Sequence, residues 1–179
     1  MTDLVVKDEW HVLNEQAETL LKSGFLPASI KTKEQAIAIG LKGKELGIPL
    51  MQAISSINII QGKPCASAEL MLALVYKNCP RGKFSIKVTT NEKCVIEAAR
   101  PGEATAVFEY TIEDAKRAGI VREGGPWSKY PAAMLRARNI SAVARGIFPD
   151  AISGISYTPE ELGANVDEEG KVIEMEIIK

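Results

Sequence analysis

The sequence predicts an α+β fold in which helices flank a β-hairpin and a three-stranded antiparallel meander. Three observations predict it. Short segments of alternating polarity recur between residues 84 and 111, separated by turn residues. Runs with helical periodicity lie on both sides of them. A glycine-centred turn, INIIQGKPCA, precedes the first long apolar helix.

Taken in order, residues 1–22 form a helix with Trp10, Leu13, Ala17, Leu20 and Leu21 on one side, broken by Gly24 and Pro27. Thr32 caps KEQAIAIGLKGKELG, which Gly47 terminates. Ala36, Gly40 and Gly43 make a small-residue stripe on that helix, suited to close packing within the chain or against another subunit. The hairpin follows, with Gly62 at its bend and Lys63 at its tip. Ser67–Asn78 is apolar on nearly every side and reads as a buried helix ended by Pro80. In FSIKVTT, Phe84, Ile86 and Val88 point inward and Lys87 outward. Asn91–Lys93 turns the chain into CVIEAA, and Arg100-Pro101-Gly102 suits a type II turn into TAVFEYT. IEDAKRAG is a short helix closed by Gly119. Pro131 opens a long helix, AAMLRARNISAVARGIF, and TPEELG forms a turn before an acidic tail.

Composition narrows the function classes. Hydrophobic residues make up 46% and charged residues 25%, the balance of a folded globule. No apolar run approaches the roughly 18–20 residues that span a bilayer, and the first ten residues lack the pattern of a secretory signal, so the expected location is the cytoplasm. Three cysteines with no CxxC spacing argue against a disulfide framework or a zinc site. The net charge of −1 hides an asymmetry. Residues 1–20 carry −4 and residues 158–179 carry −5, while residues 115–149 hold seven bases and one acid. A basic centre lies between acidic ends, and the local field is what a polyanion meets.

Gly124 to Asp150 carries most of the functional signal. At 100° per residue, Met134, Arg138, Ser141 and Arg145 fall on one stripe of the long helix, opposite an apolar side. The two arginines stand about 10 Å apart along the axis, a spacing that suits non-adjacent phosphates of one strand. Arg136 points toward the apolar side, where a partner or stem packing is expected. Trp127, Lys129 and Tyr130 precede the helix. Trp127 suits either a stacking platform or a core plug at the helix entrance.

The run Gly125, Pro126, Trp127, then Pro131, Met134–Leu135 and Arg136, with Arg145 and Phe148 beyond, resembles the motif of the Bet/RecT phage annealing proteins. ELGIPLMQAISSINIIQGKP resembles the helix, turn and hairpin upstream of it, and the likeness spans roughly Thr32 to Leu162. The resemblance implies a RecT/Bet annealing core, related to the Rad-type annealing fold, over residues 1–163, followed by an acidic tail over 164–179. It implies a homo-oligomer, ring or helical filament, that binds single-stranded DNA and nascent duplex and anneals complementary strands. Magnesium would aid annealing, and no nucleotide is used. A phage exonuclease or a host single-strand binding protein is the implied partner. Carried over position by position, Trp127, Met134, Arg138 and Arg145 line the DNA groove, with Lys63 and Lys129 beside them. Charge alone adds Lys87, Lys116 and Arg117. The sequence departs from a lambda-like pattern at Ala132–Ala133, where bases are replaced by apolar residues. The acidic tail is expected to fold back on a basic surface and compete with DNA.

Two other classes fit parts of the sequence. Glu109, Glu113 and Asp114 form an acidic cluster of the kind a metal-dependent nuclease uses, although Glu113 and Asp114 also suit a helix start. The small-residue stripe and acidic ends permit a phage assembly or interaction protein indifferent to DNA. No GxxxxGK[ST] loop is present, in keeping with annealing driven by duplex formation.

Overall fold

A computed structural model describes residues 2–27, 29–155, 157–167 and 172–174. The chain divides into two compact units, residues 1–59 and 60–179, a division that composition does not signal.

The first unit is helical: α1 (Thr2–Ser23), α2 (Lys33–Glu45) and α3 (Leu50–Ser56), leading into β1 (Ile57–Ile60). Gly24, in the left-handed region, ends α1. Thr32 caps α2 as the sequence predicts, in a reciprocal capping box with Gln35. The small-residue stripe is used inside the unit. A Cβ on Gly43 would lie 2.5 Å from the Ala53 Cβ, and one on Gly40 would meet Leu13 and Leu50. Only glycine lets α2 approach α1 and α3 so closely. Trp10 and Leu21, expected on the packed side of α1, keep much of their surface exposed.

Gln61 and Gly62 both take positive φ, the geometry of a tight hairpin turn, and carry the chain from β1 into β2 (Lys63–Ala66). The second unit continues through α4 (Ala68–Asn78), β3 (Lys83–Thr89), β4 (Lys93–Ala99) and β5 (Ala106–Thr111). It ends with α5 (Ile112–Arg117), α6 (Pro126–Lys129), α7 (Pro131–Ile147), a 3-10 turn (Glu160–Leu162) and the short strands β6 (Asn165–Val166) and β7 (Val172–Glu174). Strands β3, β4 and β5 form the predicted antiparallel meander, with β4 central. The turn at Arg100 is the type II form expected, with Gly102 at φ +84° and the Glu103 amide donating to the Arg100 carbonyl.

The inner face of the sheet offers Phe84, Cys94, Ile96 and Ala98 to α7, which also packs against α4. Leu135, Ile140 and Val143 of α7 are wholly buried. Asn139, buried among them, donates to the carbonyls of Cys94 (2.9 Å) and Phe108 (3.1 Å). One amide thus ties the helix to two strands.

One expectation needs correcting. Val88 does not continue the inward alternation of Phe84 and Ile86. A bulge at Lys87 shifts the register, so Val88 stands opposite Val95 on the outer face. Within the acidic C-terminal stretch, β6 and β7 pair antiparallel. Residues 168–171 and 175–179 of that stretch lie outside the described residues, so the expectation that the tail folds back concerns positions the structure does not describe. Among the described residues no helix is long and apolar enough to cross a membrane.

Candidate nucleic-acid interface

The arginine stripe of α7 exists, but it does not open into a cleft. Tyr157 to Leu162 returns across it. Glu161, whose side chain keeps only 6% of its surface, places its carboxylate between Arg138 and Arg145. Arg145 donates from Nη1 to Oε2 (2.8 Å) and from Nη2 to Oε1 (3.2 Å), and Arg138 pairs with Oε1. Ser141 Oγ donates to Oε1 (2.8 Å) and the Thr158 amide to Oε2 (3.1 Å). The expected outward face is therefore corrected to a covered one: Met134 and Ser141, on the same stripe, are buried. The helical wheel gives the correct stripe and cannot give what lies over it.

The two side chains keep partial exposure, 31% for Arg138 and 27% for Arg145, and each lies near an aromatic ring. Arg138 is 5.7 Å from the ring centre of Tyr110 and Arg145 is 5.8 Å from that of Tyr157. Lys63, at the start of β2, brings its Nζ to 5.6 Å from the same Tyr157 ring. Tyr110, Arg138, Arg145, Tyr157 and Lys63 therefore form one row of rings and cations on the second unit, with Glu161 between the two arginines. Sequence reasoning misses Tyr110, Tyr157 and Glu161. Tyr110 faces inward on β5, and the Thr158-x-x-Glu161 spacing signals only a local turn.

The other predicted contacts are scattered. Trp127 is buried, its ring tilted against Tyr110 at 6.4 Å, which is the core-plug arrangement. Lys129 is exposed and forms no ion pair among the described residues. Lys87 lies on the outer face of the meander, 3.4 Å from Glu97. Lys116 pairs with Glu113 (2.8 Å) and Arg117 with Asp114 (3.1 Å) on α5. Arg136 meets the expectation of a partner, pairing with Glu69 of α4.

The acidic cluster is spread over separate partners. Glu109 pairs with Lys93, Glu113 with Lys116, and Asp114 caps α5 through Thr111. Among the described residues no group of three His, Cys, Asp or Glu side chains is placed to hold a metal ion.

Beside Glu161, the Glu160 oxygen Oε1 is buried with no hydrogen-bond partner. Burial pushes the Glu160 carboxyl above the ordinary carboxylate range, and the nearby Glu69 charge adds to the rise. A value raised on folding means that stability falls as pH rises through it. Glu160→Gln is thus expected to stabilise the chain near pH 7 by about 1 kcal/mol. The gain should vanish below about pH 4, where both side chains are neutral. Thermal unfolding at the two pH values measures it.

Comparison with known proteins gives no matching family model, no matching curated protein and no matching solved structure.

Proposed function

We propose that the chain binds single-stranded DNA as an oligomer and pairs complementary strands without nucleotide hydrolysis, as the Bet/RecT annealing proteins that it resembles do. The observation that carries this reading is the row Lys63, Tyr157, Arg145, Arg138 and Tyr110. Non-specific single-strand binding needs cations that follow the backbone and flat rings on which any base can stack. The row supplies both on the part of the chain that carries the family-like motif, with Lys63 and Tyr157 exposed and Tyr110, Arg138 and Arg145 partly covered. Neutralised phosphates let two like-charged strands approach, and base pairing supplies the driving energy. Lys129 stands at the entrance to α7 as a further backbone contact, and Trp127 backs the Tyr110 ring.

A DNA-independent assembly module is the second reading. One observation favours it: Glu161 already pairs with both arginines in the free chain.

An annealing assay on labelled complementary oligonucleotides, without ATP, separates the two. Removing both arginines would strand Glu161 in the interior, so the variants are Lys63→Ala and Tyr157→Ala, both at exposed positions. Loss of one stacked base costs about 1–3 kcal/mol, so Tyr157→Ala should weaken binding by about tenfold or more with the fold intact. Strands that pair no faster with the wild-type chain than without it would defeat the annealing reading.

A further inference from the structure

The Glu161 carboxylate sits in a cradle built for an anion. Five donors from four residues converge on its two oxygens: one from Arg138, two from Arg145, the Ser141 hydroxyl and the Thr158 amide. Planar guanidinium forks match the oxygens of carboxylate and phosphate alike. The cradle also holds more donors than a carboxylate uses, since Arg138 Nε is buried beside it without a hydrogen-bond partner. A strand phosphodiester presents two charged oxygens as a carboxylate does, and its ester oxygens are weaker acceptors besides.

The segment that delivers Glu161 has little regular structure, although the Ala66 amide donates to the Tyr157 carbonyl and Thr158 is buried. It is a single 3-10 turn, and Gly154 and Gly163 on either side of it adopt left-handed backbone angles. Ser153 takes φ +43°, a conformation that costs a non-glycine residue. Seating the turn also buries the Glu160 oxygen without a partner. The Glu161 contacts thus help to hold down a segment that carries two local penalties.

Resting on the reading above, we propose that the Arg138–Arg145 pair is a phosphate site that Glu161 occupies in the free chain, and that a DNA strand takes the pair over by displacing the turn Thr158–Leu162. The exchange replaces one anion by another, so neither guanidinium is left uncompensated in a half-buried setting. Glu161 returns to water as the strand's phosphate leaves it. Strand binding and the closed turn are therefore mutually exclusive, and the chain carries its own competitor for nucleic acid.

Two measurements on the full-length chain test this, both with an oligothymidylate as probe. Hydrogen exchange of the wild-type chain, with and without the oligonucleotide, reads the amides of Glu161, Leu162 and Gly163, which bond within the turn. These amides should exchange faster when DNA is bound. Fluorescence anisotropy compares the wild type with Glu161→Gln, which keeps the shape and removes the charge. If the pair stands open in about a tenth of free molecules, the variant gains about tenfold in affinity. A wild-type chain that binds the oligonucleotide while the turn stays equally or better protected overturns the exchange and leaves the annealing reading standing. So does a folded Glu161→Gln variant that binds no tighter. A wild-type chain that does not bind the oligonucleotide defeats the annealing reading and this inference with it.

Discussion

Trp127→Ala is expected to destabilise the second unit by about 3–5 kcal/mol, the range for removing a large aromatic from a packed interior. The indole is 6% exposed, follows Pro126 at the first turn of α6, and lies against Tyr110, whose strand is paired to the centre of the meander. Deleting it leaves a cavity where α6 and β5 meet, and nearby backbone is too regular to collapse into it. Trp127→Phe refills most of that volume and should cost about 1 kcal/mol. Urea unfolding of both variants gives the stabilities, and anisotropy with an oligothymidylate gives the affinities. A core plug predicts that Trp127→Phe binds DNA as the wild type does. An indole that stacks on a base predicts the opposite pattern, little lost stability with Ala and lost affinity with either replacement.

Glu161→Ala should cost about 3 kcal/mol, close to the Trp127 effect by a different route. Removing one member of a buried charged cluster strands the rest: here two arginine side chains some 30% exposed, the Ser141 hydroxyl and the Thr158 amide. The two arginines, held near one carboxylate, would then repel each other without compensation. Arg145→Ala should cost less, since Arg138 still satisfies Glu161. The double variant Arg145→Ala/Glu161→Ala should lose less than the two single losses together, because the pair acts as a unit. Equilibrium unfolding of the four proteins measures this coupling, and strict additivity would mean that the cluster contributes nothing as a cluster.

What the sequence discloses here follows from how local each feature is. The Thr32 cap, the Gly102 turn and the extents of α4 and α7 were legible because neighbouring residues determine them. The alternation that predicts the meander was legible too, but one inserted residue reverses it, and nothing in FSIKVTT marks Lys87 as that residue. At the site, the wheel of α7 put Met134, Arg138, Ser141 and Arg145 together correctly. Their meaning depends on Glu161, which arrives 16 residues after Arg145 from a turn with no periodicity of its own. Tyr157 was hidden for the same reason. Charge counting did detect the relevant asymmetry, since Glu161 belongs to the acidic end that a basic centre attracts.

Lys87 also decides how charge is shared across the solvent side of the meander. Because the ladder absorbs this extra residue without breaking, its ammonium and that of Lys83 both reach the Glu97 carboxylate, while Lys93 takes Glu109. Three positive groups thus divide two negative ones. A single spare cation is spread over the sheet instead of standing at one point, and Val88 and Val95 stand opposite each other on the same face.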